Sequence, residues 1–348
     1  MPSENSAPRR TGRLIATEEA FLTQSWLDAM AGLSPDGPSA GDLRFLGLLK
    51  QIPMWHDGLF DWNKRLADMD ASGLDMHVLS VASPGVQTFD PQVGAQLATA
   101  MNDTAAEMIA RYPTRFAALG AIAPQNPEAS AREIERIARD LRFGGLIINS
   151  HTNDEFLDRQ HYEPVLAAAV AHKMPIYLHP RGPAPSMMKP FIEYGLMAAT
   201  WGFAADAGLH AMRLIMSGTF DRHPDLTIVL GHLGEAIPFF LDRIDFTYDT
   251  ALRTGKSKEM GFVELKKKPS QYFRDNFYIT TSGMGFPDVI DYCIKVMGSE
   301  RMMFAVDYPY HDTEHAVDFM RSTTIDDQDW HNIAHATAER VFNIAPAA

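Results

Sequence analysis

The sequence predicts one closed barrel of eight parallel β-strands that alternate with α-helices, the (β/α)8 or TIM barrel of the α/β class. Three observations support this fold. Short β-branched apolar runs alternate with longer segments of helical periodicity, and there are eight such runs. An open doubly wound sheet would place a glycine-rich phosphate loop after its first strand. The segment Glu18–Phe21 stands there instead, with no glycine.

The predicted strands are near-continuous apolar runs, as expected when helices cover one face and the barrel interior covers the other. In chain order they are Arg13–Thr17, His77–Ala82, Phe116–Ala123, Gly144–Asn149, Pro175–Leu178, Leu226–Leu230, Phe277–Thr281 and Met302–Val306. Two connections are longer than ordinary βα loops, Leu22–Trp62 after strand one and Arg181–Gly208 after strand five. Long loops at the carboxyl end of a barrel commonly shape a substrate pocket or an oligomer contact.

Helices fill the gaps between these strands. The clearest is Pro127–Leu141, for which Asn126 is the expected N-cap and Pro127 the first helical residue. Its apolar residues recur at helical spacing and predict one buried stripe. Cys293 lies among apolar residues in a later helical segment, which indicates a core residue and not a nucleophile.

Composition limits the domain organisation and the partners. The chain has 31 Lys and Arg against 44 Asp and Glu, a net charge of −13, which argues against nucleic acid and anionic membranes. Residues 1–12 are polar and predict a flexible tail, so residues 13–348 form the single predicted domain. One cysteine excludes a disulfide framework, and no apolar run approaches the length of a membrane span. These features favour a cytoplasmic protein.

Acidic and imidazole side chains follow several of the predicted strands. Because active sites of these barrels lie at the carboxyl ends of the strands, we expect these side chains to share one rim. They are Glu18 and Glu19 after strand one, His179 after strand five, His232 and Glu235 after strand six, and Asp307 after strand eight; His151 ends strand four and is expected to face the same pocket. Each taken alone could be a structural residue or part of a turn. Together they predict a site for a divalent cation.

These segments resemble the amidohydrolase superfamily, and within it the non-oxidative decarboxylases of ortho-hydroxybenzoates. The resemblance covers Arg13 to Ile344 and is closest to the 5-carboxyvanillate decarboxylases, then to the γ-resorcylate and 2,3-dihydroxybenzoate decarboxylases. The motifs that carry it are Ala16–Phe21, Ser83–Gln87, Ala123–Gln125, Ile148–Thr152, Tyr177–Pro180, Gly231–Glu235 and Asp307–Tyr310.

The resemblance implies one divalent metal ion held by Glu18, His179 and Asp307. Some relatives carry a histidine two residues after the first glutamate, where this chain has Ala20. A site with fewer nitrogen ligands favours Mn²⁺, with Zn²⁺ as the other possibility. The resemblance also implies that His232 and Glu235 orient Asp307.

The resemblance implies a small aromatic carboxylate as substrate, with Arg243 as a contact and with Tyr310 and His151 as further candidates. A second arginine is expected in the first long loop, where it has no clear counterpart and Lys50 is nearby. In the implied reaction the metal chelates the substrate carboxylate and the ortho phenolate, and Asp307 protonates the ipso carbon.

Two other functions remain open at this stage. The same residues could hydrolyse a lactone or an amide through a metal-bound hydroxide, or a metal could stabilise a barrel without activity. We also expect a homodimer or homotetramer, because both long loops are rich in apolar residues. Those residues are Phe45, Leu46, Leu48, Leu49, Trp55, Phe60, Trp62, Met187, Met188 and Phe191.

Overall fold

A computed structural model describes residues 9–34 and 40–346. Eight parallel strands follow one another around a single sheet in the order β1 to β8. This arrangement confirms the predicted barrel. The strands are β1 Ile15–Phe21, β2 Met76–Val81, β3 Phe116–Ala121, β4 Gly145–Asn149, β5 Ile176–His179, β6 Ile228–Leu230, β7 Phe277–Thr280 and β8 Met302–Met303.

Helices surround the barrel and bury its outer face. In the described ranges they are α1 Gln24–Ala31, α2 Ala40–Gln51, α3 Pro53–Phe60, α4 Trp62–Ser72, α5 Pro91–Arg111, α6 Pro127–Arg136, α7 Glu163–Ala171, α8 Gly202–Met216, α9 Thr219–Arg222, α10 His232–Glu235, α11 Ile237–Arg253, α12 Pro269–Asn276, α13 Pro287–Met297, α14 Thr313–Ser322, α15 Asp327–His331 and α16 Thr337–Val341. Within that part of the chain, no helix combines the length and the apolar character needed to cross a membrane.

The barrel closes between its first and last strands, and this seam is irregular. The Thr17 amide donates to the Phe304 carbonyl at 3.1 Å, and the Ala20 amide donates to the Tyr308 carbonyl at 2.8 Å. A single parallel bridge joins Glu19 to Tyr308. The last strand therefore meets the first through separate contacts that continue beyond the end of β8.

The predicted bounds of strands one and eight differ most from the observed ones, and those of the other six strands differ by one or two residues at one or both ends, so that His179 lies inside β5. Strand one begins and ends later than predicted, so Glu18 and Glu19 lie inside it and not after it. Both carboxylates find hydrogen-bond donors in the barrel, which allows them to occupy strand positions. Strand eight is shorter than predicted, because the residues after Met303 contact β1 without forming a regular ladder.

The predicted helix from Pro127 has two parts. Asn126 is its N-cap, as predicted, and accepts from the Ala129 amide at 3.2 Å. The α-helix ends at Arg136, and Ile137–Leu141 forms a π-helical turn. Cys293 is buried in α13, which confirms its place in the core.

The long segment after β1 folds onto the barrel as the four helices α1 to α4. Leu46 and Leu49 are buried there, so the prediction that these residues form an exposed apolar surface is wrong. The amphipathic α2 turns them toward the core and leaves Leu48 outside. The segment after β5 is shorter than predicted, since α8 already begins at Gly202.

Most of the predicted N-terminal tail, residues 1–8, lies outside the described residues. The next residues contact the C-terminal part of the barrel. Arg10 donates its amide to the Arg321 carbonyl at 2.8 Å and pairs with Asp327 at 2.9 Å.

Candidate metal centre and active site

Three predicted ligands meet at the carboxyl end of the barrel. Glu18 of β1, His179 at the end of β5 and Asp307 after β8 each place one ligand atom within 4.8 Å of the others. The Glu18 Oε1 atom is buried without a hydrogen-bond partner in the described part of the chain and lies 3.2 Å from His179 Nε2. A buried, unpaired carboxylate oxygen is costly unless a cation occupies the space beside it. These residues therefore fit a divalent metal ion.

The other oxygen of Glu18 is held from inside the barrel. The Tyr177 hydroxyl donates to Glu18 Oε2, and the Thr280 hydroxyl lies 3.3 Å from the same atom. Burial and the Glu18 charge raise the pKa of Tyr177 well above its ordinary value, so the phenol stays protonated as a donor. A β-bulge between Ala16 and Glu19 marks this stretch of β1. Bulges commonly re-aim side chains beside active sites.

The imidazole of His179 is oriented by the backbone. Its Nδ1 lies 2.7 Å from the Pro180 carbonyl, which can only accept, so Nδ1 carries the proton. Nε2 is then the unprotonated nitrogen, and it faces Glu18. This tautomer is the one that binds a metal through Nε2.

Asp307 has a backbone conformation that few residues adopt. Its φ of 71° lies in the left-handed region, which costs a residue with a Cβ about 1–2 kcal/mol. The amides of Tyr310 and His311 donate to its carbonyl at 2.8 and 3.1 Å. Surrounding hydrogen bonds thus hold this residue where the carboxylate meets the other two ligands.

His232 and Glu235 lie beside Asp307. His232 Nδ1 lies 2.7 Å from Glu235 Oε1, and Nε2 is 3.9 Å from Asp307 Oδ2 and 4.0 Å from Glu18 Oε1. Burial alone would lower the pKa of His232, but the carboxylates of Glu235 and Glu18 raise it well above its ordinary value. His232 is outside the three-ligand group, and its Nε2 faces Asp307.

The three remaining predicted residues occupy different positions, and of these Tyr310 bonds directly to Asp307 through its amide. Tyr310 packs edge-on against Trp55 of α3, with ring centroids 5.4 Å apart. His151 is buried after β4, and its Nε2 donates to the Gly182 carbonyl at 3.0 Å. Arg243 is exposed on α11 and lines, together with Glu235, a cavity of about 590 Å³.

Lys50, which was named as a nearby basic residue of the first long loop, is exposed at the end of α2. Two other basic residues near this rim, His311 and Arg181, were not predicted from the sequence. His311 Nε2 lies 3.9 Å from Asp307 Oδ2, the same distance as His232. Arg181 is buried and pairs with Asp42 of α2, so it ties the first long loop to β5. In the sequence, His311 follows Asp307 by four residues and Arg181 follows His179 by two. This short separation along the chain is a signal that could have identified both residues.

Comparison with known proteins places this geometry in a family. Residues 35–344 match the amidohydrolase family. The γ-resorcylate decarboxylase of Polaromonas sp. is 34% identical over 95% of this chain and 98% of its own.

Solved structures agree with this match. The 5-carboxyvanillate decarboxylase of Sphingomonas paucimobilis has 44% identity and a TM-score of 0.90, over 96% of this chain and 99% of that chain. The Novosphingobium aromaticivorans 5-carboxyvanillate decarboxylase, in complex with manganese and 4-hydroxy-3-methoxy-5-nitrobenzoic acid, has 37% identity and a TM-score of 0.92, over 98% and 100% of the two chains. The chain belongs to the amidohydrolase family, in its branch of ortho-hydroxybenzoate decarboxylases.

Proposed function

We propose that this protein is a metal-dependent, non-oxidative decarboxylase of an ortho-hydroxybenzoate, a carboxy-lyase. One observation carries the proposal. Asp307 belongs to the three-ligand group and also lies 3.9 Å from His232, which is held by Glu235. A carboxyl group in that position is able to receive a proton from the imidazole and deliver it to a substrate carbon.

The residues of this chain divide the reaction between them. Glu18, His179 and Asp307 would hold a divalent ion. When bound, such an ion would supply positive charge for the substrate carboxylate and the ortho phenolate oxygen. Asp307 protonates the ipso carbon as the ring loses its aromaticity. His232 supplies that proton, and Glu235 keeps Nδ1 bonded so that Nε2 faces Asp307. The carbon–carbon bond then breaks, carbon dioxide leaves and the ring becomes aromatic again.

The metal is proposed to be Mn²⁺. Two of the three candidate ligands are carboxylates, and oxygen-rich sites suit Mn²⁺ better than sites rich in nitrogen or sulfur. The manganese-bound relative supports this choice. Zn²⁺ remains the second candidate, as two carboxylates and one imidazole also suit it.

The substrate class is proposed from the relatives and from the chemistry of the site. Two 5-carboxyvanillate decarboxylases and one γ-resorcylate decarboxylase match 95% to 98% of this chain. We therefore propose a 5-carboxyvanillate-like or γ-resorcylate-like acid as substrate. Arg243, Tyr310 and His151 are proposed to contact the substrate, and Arg243→Met should weaken binding of a nitrophenol analogue while metal content stays unchanged.

The test is a release assay for carbon dioxide with the Mn²⁺-loaded protein. The panel contains 5-carboxyvanillate, 2,6-dihydroxybenzoate and 2,3-dihydroxybenzoate, with an aryl lactone and an anilide as hydrolase substrates. We expect carbon dioxide from at least one benzoate. Hydrolysis of the lactone or the anilide without any decarboxylation would assign the site to hydrolysis instead.

Three variants test the ligand assignment in the same assay. Glu18→Gln, His179→Asn and Asp307→Asn should each lower bound Mn²⁺ and abolish turnover, because each removes one ligand atom of the group. Metal content is measured by mass spectrometry after dialysis. Full metal occupancy and activity in all three variants would show that the metal lies elsewhere.

We propose a homodimer or homotetramer on the basis of exposed apolar side chains on and beside α11. Phe239, Phe240 and Phe246 of α11 have 46% to 74% of their surface exposed, and Trp201, which is 60% exposed, lines the same cavity as Phe240. Exposed apolar side chains grouped in this way commonly mark a protein interface. We also propose a cytoplasmic location, supported by the lone, buried Cys293.

A further inference from the structure

A second buried carboxylate lies next to the metal centre, and the proposed reaction does not use it. Glu19 follows the ligand Glu18 in β1 and is fully buried. Its side chain lies at the seam where the barrel closes. A buried carboxylate is expensive, so its hydrogen bonds must compensate for the lost hydration.

Those hydrogen bonds lie on both sides of Asp307. The Val306 amide donates to Glu19 Oε1 at 2.9 Å, and the Tyr308 amide donates to Glu19 Oε2 at 3.1 Å. The carboxylate thus takes the place of backbone carbonyls from β1, which do not reach these amides. It holds the residue before and the residue after the left-handed Asp307.

The remaining surroundings of Glu19 keep its carboxylate in place. His77 of β2 lies behind it, with Nε2 4.0 Å from Glu19 Oε2. Arg65 is 3.2 Å from His77 Nδ1 and can only donate, so Nδ1 accepts and the imidazole proton is on Nε2, facing Glu19. The same Arg65 donates to the Ala20 and Gly58 carbonyls. The Glu18 amide of β1 also donates to Glu19 Oε1 at 3.3 Å, so the carboxylate lies between donors from β1 and the seam, with the His77 ring behind it.

We infer that Glu19 is a positioning residue for Asp307. By accepting hydrogen bonds from the Val306 and Tyr308 amides, Glu19 holds the backbone of Asp307 in its left-handed conformation and so fixes the position of the metal-binding carboxylate. Only a carboxylate presents two acceptor oxygens to two amides. A glutamine of the same shape has one oxygen and one NH₂ group, so one of the two amides would face another donor. The effect on turnover rests on the proposed function, whereas the effect on metal binding does not.

The test compares Glu19→Gln with Thr17→Val. Thr17 belongs to the same seam, and its hydroxyl donates to the Phe304 carbonyl at 2.9 Å without touching the amides beside Asp307. Mn²⁺ affinity is measured by titration calorimetry and thermal stability by calorimetric unfolding. We expect Glu19→Gln to bind Mn²⁺ about 10–100-fold more weakly, the usual loss for an outer-shell partner. Thr17→Val should lose stability and keep its Mn²⁺ affinity.

Equal Mn²⁺ affinity in wild type and Glu19→Gln would overturn the inference. An equal loss in both variants would also overturn it, because it would show a general loosening of the seam. If Glu19→Gln does not fold, residue-resolved hydrogen exchange of the metal-free wild type decides the matter. The Val306 and Tyr308 amides should both be protected there, and rapid exchange of both would contradict the bonds to Glu19. These results do not depend on whether the protein decarboxylates any substrate.

Discussion

The division of labour between His232 and the metal ligands leads to the most informative prediction. His232 lies outside the three-ligand group, and its Nε2 is 3.9 Å from Asp307 Oδ2. His232→Asn should therefore keep its bound Mn²⁺ and lose most of its rate. The variant removes the imidazole proposed to supply the proton, while the candidate ligand atoms of Glu18, His179 and Asp307 remain.

The expected magnitude follows from the geometry around His232. Its 2.7 Å bond to Glu235 fixes the ring, and the neighbouring carboxylates favour the protonated form. A positioned acid of this kind typically contributes about 10²–10⁴-fold to the rate. This range corresponds to about 3–5 kcal/mol of transition-state stabilisation at 1.36 kcal/mol per tenfold.

The chain offers a matched control. His311 Nε2 lies at the same distance of 3.9 Å from Asp307 Oδ2, but its side chain is 47% exposed, and within residues 9–34 and 40–346 no carboxylate is hydrogen-bonded to it as Glu235 is to His232. His311→Asn should therefore lose less than about tenfold in kcat, since solvent competes for its proton. Both variants are compared by carbon dioxide release at saturating Mn²⁺, with metal content measured in parallel.

Two outcomes would refute the proton-relay reasoning. Loss of Mn²⁺ in His232→Asn would make this residue a ligand. A rate loss of the same size in His311→Asn would show that distance to Asp307, and not the bond to Glu235, determines which imidazole acts.

Three further predictions concern the metal ligand, the core and the surface. Tyr177→Phe removes the hydroxyl that donates to Glu18 and should weaken Mn²⁺ binding about 10–100-fold in a competition titration; unchanged affinity would exclude this role. His210 is buried and accepts a hydrogen bond from the Leu157 amide at 3.0 Å, and burial lowers its pKa to about 3. Below about pH 6.5 the histidine is therefore protonated in the unfolded chain but not in the folded protein. Stability is therefore lost as the pH falls, and His210→Gln should reduce the loss between pH 7 and pH 5 by about 2 kcal/mol in urea unfolding; an identical pH slope would contradict this. Phe239 is 74% exposed on α11, and Phe239→Glu should lower the molar mass seen by light scattering, whereas an unchanged oligomer would place the interface elsewhere.

The barrel and the rim positions of the polar residues could be predicted from local patterns. Eight apolar runs separated by helical segments leave few other architectures, and strand ends in such a barrel share one rim. Glu18, His179, His232 and Asp307 could therefore be expected near one another without any coordinates. Cys293 could be assigned to the core because helical spacing alone indicates which face is buried.

Other features depended on contacts between residues far apart in the chain. Leu46 and Leu49 were expected on the surface and are buried, because the amphipathic α2 packs on the barrel. His311 follows Asp307 by four residues, and the left-handed turn at Asp307 brings its imidazole near the carboxylate.

The pair Glu18-Glu19 shows most clearly what the sequence determined and what it left to the tertiary structure. Two adjacent acids at the first strand, together with the polar residues at the ends of other strands, indicated a cation site, and the family resemblance assigned Glu18 to it. Their different roles follow from the opposite directions in which successive strand residues point and from the bulge between Ala16 and Glu19. One carboxylate faces His179 and the other meets the Val306 and Tyr308 amides. Those partners come from distant segments of the chain, and only closure of the barrel brings them to these two side chains.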